Sequence, residues 1–333
     1  MLELLTPRGL RVSVPQTQGE DPSPRYDVED ASSLRKYFAD NGYAVVSSLV
    51  SVDACNKIRT LWSKEVKPSQ SFIYRQATAK AERHKFNANG WVMNPILNLQ
   101  SVCPREFPYF RQFAVENILT SDGLSAGFST LLRERPKIVQ SMYFEGNSAT
   151  WEHQDSYYLD SERVGSMVAA WVALEDIDAE AGRFFVCPKS HLLNLGKQNS
   201  QNNIADHHED YIQSVVQKVR ELGLEIRAPA LKAGDVLFWN SWTIHGSLDS
   251  QSATHSRASI TCHAIPASHR FMQLQARIVP TPFELVNDVA VYRPKDLGVA
   301  RNRAIFAFES RFPSIFYFAK RMAVKTLVAV KNG

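Results

Sequence analysis

Cysteine is scarce in this 333-residue chain, and Cys55, Cys103, Cys187 and Cys262 stand apart with no CxxC spacing. That excludes a disulfide framework and offers no thiolate zinc site, which leaves buried free thiols as the simple reading. The N-terminus MLELLTPRGLRVSVPQ has an early acid, no basic n-region and only a short apolar run, unlike a secretory signal. No stretch reaches the ~20 apolar residues of a membrane-spanning helix. A cytoplasmic location is expected, where thiols stay reduced. Charge is also in short supply, at +4 overall. Arg301, Arg303, Arg311, Lys320, Arg321, Lys325 and Lys331 face Glu309 alone in the last stretch, so the first 300 residues are slightly acidic. Such a body excludes a nucleic-acid surface spread over it.

What the chain does have is apolar material for a large core, 44% hydrophobic and 11% aromatic. One elaborated β domain with helical additions is a normal use of that length. The order expected is an irregular N-terminal arm over 1–29, a single domain over 30–300 and a basic, apolar tail over 301–333. Leu34, Tyr37 and Phe38 stand at i, i+3, i+4 before Asn41-Gly42, which predicts a helix and its stop. A short strand and a second helix follow, with Ser51 as N-cap. Residues 106–133 read as helical. Strands are expected at 138–144, 151–155, 166–175, 183–187, 225–231, 235–239, 243–247 and 257–264, the eight of a jelly roll.

The chemistry centres on WEHQD. Side chains two apart on an extended segment point the same way, so His153 and Asp155 reach one cation together. Imidazole plus carboxylate is two-thirds of the 2-His-1-carboxylate facial triad of non-haem Fe(II). A lone HxD is weakly specific, and His208, Glu209 and Asp210 supply a second one. That second motif opens a helical pattern (Tyr211, Val215, Val216, Val219, Leu222), where acids suit the positive end of a helix. It reads as a solvated helix start. His153, in contrast, lies between strand-like segments.

Downstream, His245 follows an apolar strand and Arg257 opens the next. Arg257 and Ser259 are again two apart, so a guanidinium and a hydroxyl can grip one carboxylate of a dicarboxylic co-substrate. The ordered set WEHQD, WVAL with Trp171, GRFFVCPKSH, GDVLFW, IHGS and RASITCH resembles the phytanoyl-CoA dioxygenase family over roughly residues 33–265. The resemblance implies a double-stranded β-helix, a cupin-like jelly roll, mainly β with flanking helices. It implies Fe(II) on His153, Asp155 and His245, 2-oxoglutarate held by Arg257 with Trp171 beside it, and O2 as oxidant. The helices of 32–66 then buttress the major sheet. The family's PGSH reads Pro188, Lys189, Ser190, His191, so a turn glycine is missing, and the loop from His245 to Arg257 is one residue longer.

On this reading the chain is a dioxygenase that oxidises a C–H bond of a small organic molecule, most simply a hydroxylase, with release of succinate and CO2. Related halogenases lack the carboxylate, so Asp155 argues for hydroxylation, desaturation or cyclisation. The competing readings are a cupin-like metal enzyme without 2-oxoglutarate, which leaves Arg257 and Trp171 without purpose, and a binding protein on the same fold, which should have lost ligands. Of Gln140 and Tyr143, on opposite faces of one strand, Gln140 is expected to face the co-substrate. Tyr157 and Tyr158 face substrate or pack. His191, His255, His263 and His269 have no partner at ligand spacing.

Residues 67–104 read either as a lid over the iron or as a surface excursion, and 192–222 as an insertion. The tail 312–333 has two readings. It packs Phe316, Phe318 and Val324 on the β domain or on a second subunit, or it lays Phe316, Met322 and Ala323 into a membrane surface.

Overall fold

The computed structural model describes residues 1–146, 149–193, 195, 207–274 and 277–331, with the side chains of the last helix described as far as Met322. Residues 196–206 of the expected insertion, and the side chains of Ala323 and Val324, lie outside the described residues.

The strands Pro136–Phe144, Ser259–Pro266, Val168–Ala173 and Val236–Asn240 are antiparallel neighbours in that order at the centre of the major sheet. Period-two alternation sets the two faces of this sheet. Along Val168–Ala173, Ala170 and Val172 point to the helices, while Ala169 and Trp171 point inward. Four helices, Ala31–Asn41, Val52–Leu61, Pro108–Phe113 and Asp122–Leu132, supply Leu34, Ile58, Phe110 and Phe128 to the covering core. Ser51 caps its helix as expected, accepting from the Ala54 amide. The stop after Asn41 is made by Gly42 at φ 77°, a left-handed position suited to glycine.

The minor sheet is Phe184–Val186, His245–Ser247 and Thr150–His153. Together the two sheets form the jelly roll expected, with one substitution. The strand predicted at 225–231 contracts to a single bridge, Arg227 to Val186, because Pro229, which has no amide N–H to donate, stops the ladder two residues on.

The N-terminal 29 residues are not irregular. Leu2–Leu5 and Arg11–Val14 form a hairpin whose Val12 and Val14 bury against Phe185, and Arg25–Tyr26 joins the major sheet edge. Its alternation is short, with a Gly-containing turn, and only docking on the minor sheet makes it persist. Beyond the central strands, Phe271–Gln273 and Arg277–Val279 form a separate small sheet with Leu159–Ser161, Phe283–Val286 and Val289–Tyr292 extend the major sheet, and the helices Ala300–Arg311 and Pro313–Lys331 follow. The segment 67–104 is ordered. Ile96–Leu97 pairs with the Pro136–Phe144 strand, and buried Arg75 is tied to the carbonyls of Glu82 and Asn94 and to His84.

Candidate metal centre

His153 ends one minor-sheet strand and His245 begins its neighbour, in direct cross-strand register. Gly246 permits that approach, since a Cβ there would lie 2.5 Å from the Thr150 carbonyl oxygen and 2.6 Å from the Phe185 ring. Gln154 keeps extended geometry at φ −108° and ψ 133°, so Asp155 turns to the same side as His153. The intervening Gln154 side chain points the other way and donates to the carbonyls of Leu193 and Trp242.

The ligating atoms of His153, Asp155 and His245 lie within 4.8 Å of one another. Asp155 Oδ1 is 3.8 Å from His153 Nε2 and 3.5 Å from His245 Nε2. Each histidine is oriented by its other nitrogen. His153 Nδ1 donates to the Trp151 carbonyl at 2.8 Å and His245 Nδ1 to the Thr243 carbonyl at 2.9 Å, which fixes both Nε2 atoms as lone-pair donors toward a cation. Burial, and then the neighbouring His245, push the His153 imidazole down to about 3, so it stays neutral and ready to ligate. Burial would raise Asp155, but His245 and His263 outweigh it and hold the carboxyl well below its usual range. Two imidazoles and a carboxylate meeting on one side, with an open cavity opposite, fit a divalent iron with positions left over.

The cavity over this triad is about 510 Å³, and Arg257, Trp171, Gln140 and Tyr158 line it. Arg257 is 2% exposed. Its Nη1 donates to the Gly182 carbonyl at 3.0 Å, its guanidinium lies 5.4 Å from the Phe144 ring and 5.8 Å from the Trp171 ring, and its Nε has no hydrogen-bond partner. No carboxylate of the described residues pairs with it. Burial pushes this guanidinium down to about 9. A cation so enclosed is stable only with an anion supplied, and a carboxylate of 2-oxoglutarate fits that need.

Ser259 shares the Arg257 face of the strand, but its hydroxyl turns to the Arg257 carbonyl, and Thr261 provides the hydroxyl that lines the cavity. The two side chains expected to act together therefore point apart, the hydroxyl to the backbone and the guanidinium toward Trp171. Gln140 faces the cavity as predicted, while Tyr143 stacks on Trp62 in the helix-side core at 4.2 Å. Tyr158 faces the cavity and Tyr157 stacks on Tyr211 at 3.7 Å.

The second HxD begins a helix, His208–Leu222, and is no part of the triad. His208 is nonetheless not simply solvated. It lines the cavity and bonds the Tyr158 hydroxyl at 2.7 Å. His263, read as partnerless, reaches Asp155 Oδ2, where Trp239 Nε1 also donates. Strand alternation from Arg257 through Ser259 and Thr261 to His263 was the signal that could have found it. The remaining histidines are structural or exposed. His191 bonds the Ala39 carbonyl, His269 bonds Ser161, and His255 sits with Asp178 and Glu180 in an exposed group. Lys189 takes the left-handed conformation, φ 65°, at the place of the missing turn glycine. Of the segment 67–104, Gln76 and Ala77 reach the cavity, whereas its basic Arg75 and Lys67 are tied to carbonyls and to Glu145.

The family model for phytanoyl-CoA dioxygenase matches residues 38–259. The peroxisomal phytanoyl-CoA dioxygenase of Bos taurus is 25% identical over 257 residues, covering 72% of this chain and 70% of its own. Phytanoyl-CoA dioxygenase 1 of Oryza sativa subsp. japonica is 28% identical over 183 residues, covering 53% of this chain and 60% of its own. Among solved structures, EctD from S. alaskensis with 2-oxoglutarate and 5-hydroxyectoine aligns at a TM-score of 0.52 and 17% identity, covering 85% of this chain and 92% of that one. The epimerase SnoN from nogalamycin biosynthesis, in complex with Fe3+, alpha ketoglutarate and nogalamycin RO, aligns at 0.53 and 16% identity, covering 80% and 99%.

Proposed function

The chain belongs to the phytanoyl-CoA dioxygenase family, and from that premise we propose that His153, Asp155 and His245 hold Fe(II) while Arg257 anchors 2-oxoglutarate, in the oxidation of a C–H bond of a small organic molecule. The chain is a non-haem Fe(II)/2-oxoglutarate-dependent dioxygenase. The observation that carries the site assignment is the buried Arg257, paired with no carboxylate of the described residues, in the same cavity as the triad. When bound, Fe(II) with 2-oxoglutarate and O2 supplies the power to break a substrate C–H bond, with succinate and CO2 as co-products. The protein's part is orientation and shelter. The Trp151 and Thr243 carbonyls aim the two imidazoles, and His263 and Trp239 hold Asp155 Oδ2 so that Oδ1 faces the ion. Trp171 and Phe144 wall Arg257 from water and so strengthen its pull on an anion. Gln140 faces the same space and supplies a polar contact to co-substrate or substrate. With Asp155 in place no coordination position is given up to a halide, and hydroxylation, desaturation or cyclisation is the outcome. Incubation with Fe(II), 2-oxoglutarate, air and pools of small organic molecules, with succinate release as readout, tests this. Release stimulated by a pool supports it, and 2-oxoglutarate that neither binds nor turns over overturns it.

For the tail we infer contact with an anionic membrane surface. Phe316 and Tyr317 turn to Phe308, Glu309 and Lys80, while Ile315, Phe318 and Met322 are 59%, 61% and 50% exposed at helical spacing, and this outer stripe supports the membrane reading. The acid of this region, Glu309, is buried against Tyr74 and Tyr317, which leaves Arg301, Arg311, Lys320 and Arg321 as the exposed charges of its described side chains, all of one sign. Apolar contact plus roughly 1 kcal/mol per basic residue near an anionic surface suits such a face. No helix of the described residues is long and apolar enough to cross a membrane. Cosedimentation with phosphatidylserine vesicles, absent with phosphatidylcholine alone, is expected. A concentration-dependent dimer that loses the stripe to a second copy, with no vesicle binding, overturns the inference.

A further inference from the structure

A second cavity, about 660 Å³, adjoins the metal centre, and Gln76 and Gln140 line both, so the two spaces meet at that pair. Its volume lies within the ~300–1,000 Å³ of dedicated ligand sites, and the smaller cavity already accommodates a co-substrate. The walls are chiefly apolar, with Phe107, Phe271, Tyr292 and Phe306 prominent. Much of this lining, from Phe271 to Ser310, comes from beyond residue 259, where the family match ends. The inner face of the Ala300–Arg311 helix is therefore given to this space, while its outer face carries the exposed Ile305 and Phe308.

The polar groups of the chamber are sorted by sign. Lys295 and Arg303 line it, with Glu106 as the acid of its walls. Lys295 Nζ sits 4.1 Å over the Tyr74 ring, and Arg303 Nη1 donates to the carbonyls of Leu297 and Gly298. Neither cation makes a direct ion pair with a carboxylate among the described residues; the charge of buried Glu309, which Tyr74 holds, acts on Lys295 from beyond contact, and none is shown acting on Arg303. At the other end, Gln140 Oε1 is buried and has no hydrogen-bond partner, an acceptor placed where the two cavities join.

We propose that this chamber binds the non-reacting part of an elongated, mainly apolar substrate that carries an anionic group. The anion lies at Lys295 and Arg303, the apolar body fills the aromatic walls, and the reacting segment passes Gln76 and Gln140 into the metal cavity. The assignment of the reacting end rests on the oxygenase reading above, whereas the chamber's preference for an anionic amphiphile does not.

The test is calorimetric titration of the full chain, loaded anaerobically with Fe(II) and 2-oxoglutarate, with dodecanoate and, as sign control, dodecyltrimethylammonium. Dodecanoate is expected to bind and the cationic chain to bind at least ~10-fold more weakly, the worth of one charge-assisted contact. Arg303→Gln should weaken dodecanoate binding by a similar factor. Ala307→Trp, which sets an indole into the chamber from an exposed helix position, should abolish it. Both variants should bind 2-oxoglutarate as the parent does, which also shows that they fold. Equal binding of the two amphiphiles, or dodecanoate binding unmoved by both substitutions, overturns the proposal. Dodecanoate binding that follows these variants in a protein that never turns over 2-oxoglutarate supports the chamber and sinks the oxygenase reading alone.

Discussion

His263 Nε2 stands 3.3 Å from Asp155 Oδ2, and Trp239 Nε1 donates to the same oxygen at 2.8 Å. Two donors on one carboxylate oxygen leave the other, Oδ1, turned toward the Nε2 atoms of His153 and His245. His263→Leu should therefore lower metal affinity by roughly 10- to 100-fold, as loss of such outer partners does. His263→Gln, which keeps a donor, should lose less. Titration with Co(II), read by its absorption, checks both, and an unchanged affinity in the Leu variant would mean that Trp239 alone orients Asp155.

His153→Ala, Asp155→Ala and His245→Ala should each abolish Fe(II)-dependent turnover of 2-oxoglutarate, because each removes one of three ligands that meet within 4.8 Å. His208→Ala should keep iron binding, since its ring serves the Tyr158 hydroxyl. Succinate release and metal content distinguish the two classes. Loss of iron from the His208 variant would move the centre.

Arg257→Ala should chiefly raise the 2-oxoglutarate KM, through loss of a charge-assisted contact worth about 1.5–3 kcal/mol, while metal binding survives. Steady-state kinetics against 2-oxoglutarate concentration measures it. An unaltered KM would place the anchor on another residue.

His84 gives the segment 67–104 a pH dependence. Its Nε2 bonds the Val66 carbonyl at 2.9 Å and its Nδ1 faces Arg75, and burial, then Arg75, push the imidazole down to about 4 from its ordinary 6.5. Between those two values the unfolded chain holds the extra proton. This contribution to stability is thus whole above pH 6.5 and lost as pH falls toward 4. Thermal melts across that window should fall less steeply for His84→Gln than for the parent, and parallel curves would assign the slope to other groups.

Lys189 occupies the left-handed region at φ 65° and ψ −3°, on an exposed turn. A non-glycine residue there costs roughly 1–2 kcal/mol, partly offset by glycine's greater freedom when unfolded. Lys189→Gly should raise stability by about 0.5–1 kcal/mol, seen as a higher Tm. A lower Tm would show that the lysine side chain contributes a contact that outweighs the backbone cost.

The parts of this protein that the sequence determined by itself are those governed by short-range geometry. The i, i+2 spacing put His153 and Asp155 on one side, alternation turned Gln140 inward and Tyr143 outward, and the serine cap and the Gly42 stop bounded the early helices. The helical period after His208 kept the second HxD out of the triad. The tertiary structure alone decided what depends on distant segments meeting. His263 reaches Asp155 across more than a hundred residues, and the Ser259 hydroxyl turns to the Arg257 carbonyl while Thr261 lines the cavity. The N-terminal hairpin has too few residues to hold a strand pair on its own and exists by packing on Phe185. The second chamber is walled by segments from 71 to 310 that share no local pattern. Periodicity reports which way a side chain points along its own element, and says nothing of which other element will arrive there, because that is fixed by the packing of the two sheets and the helices around them.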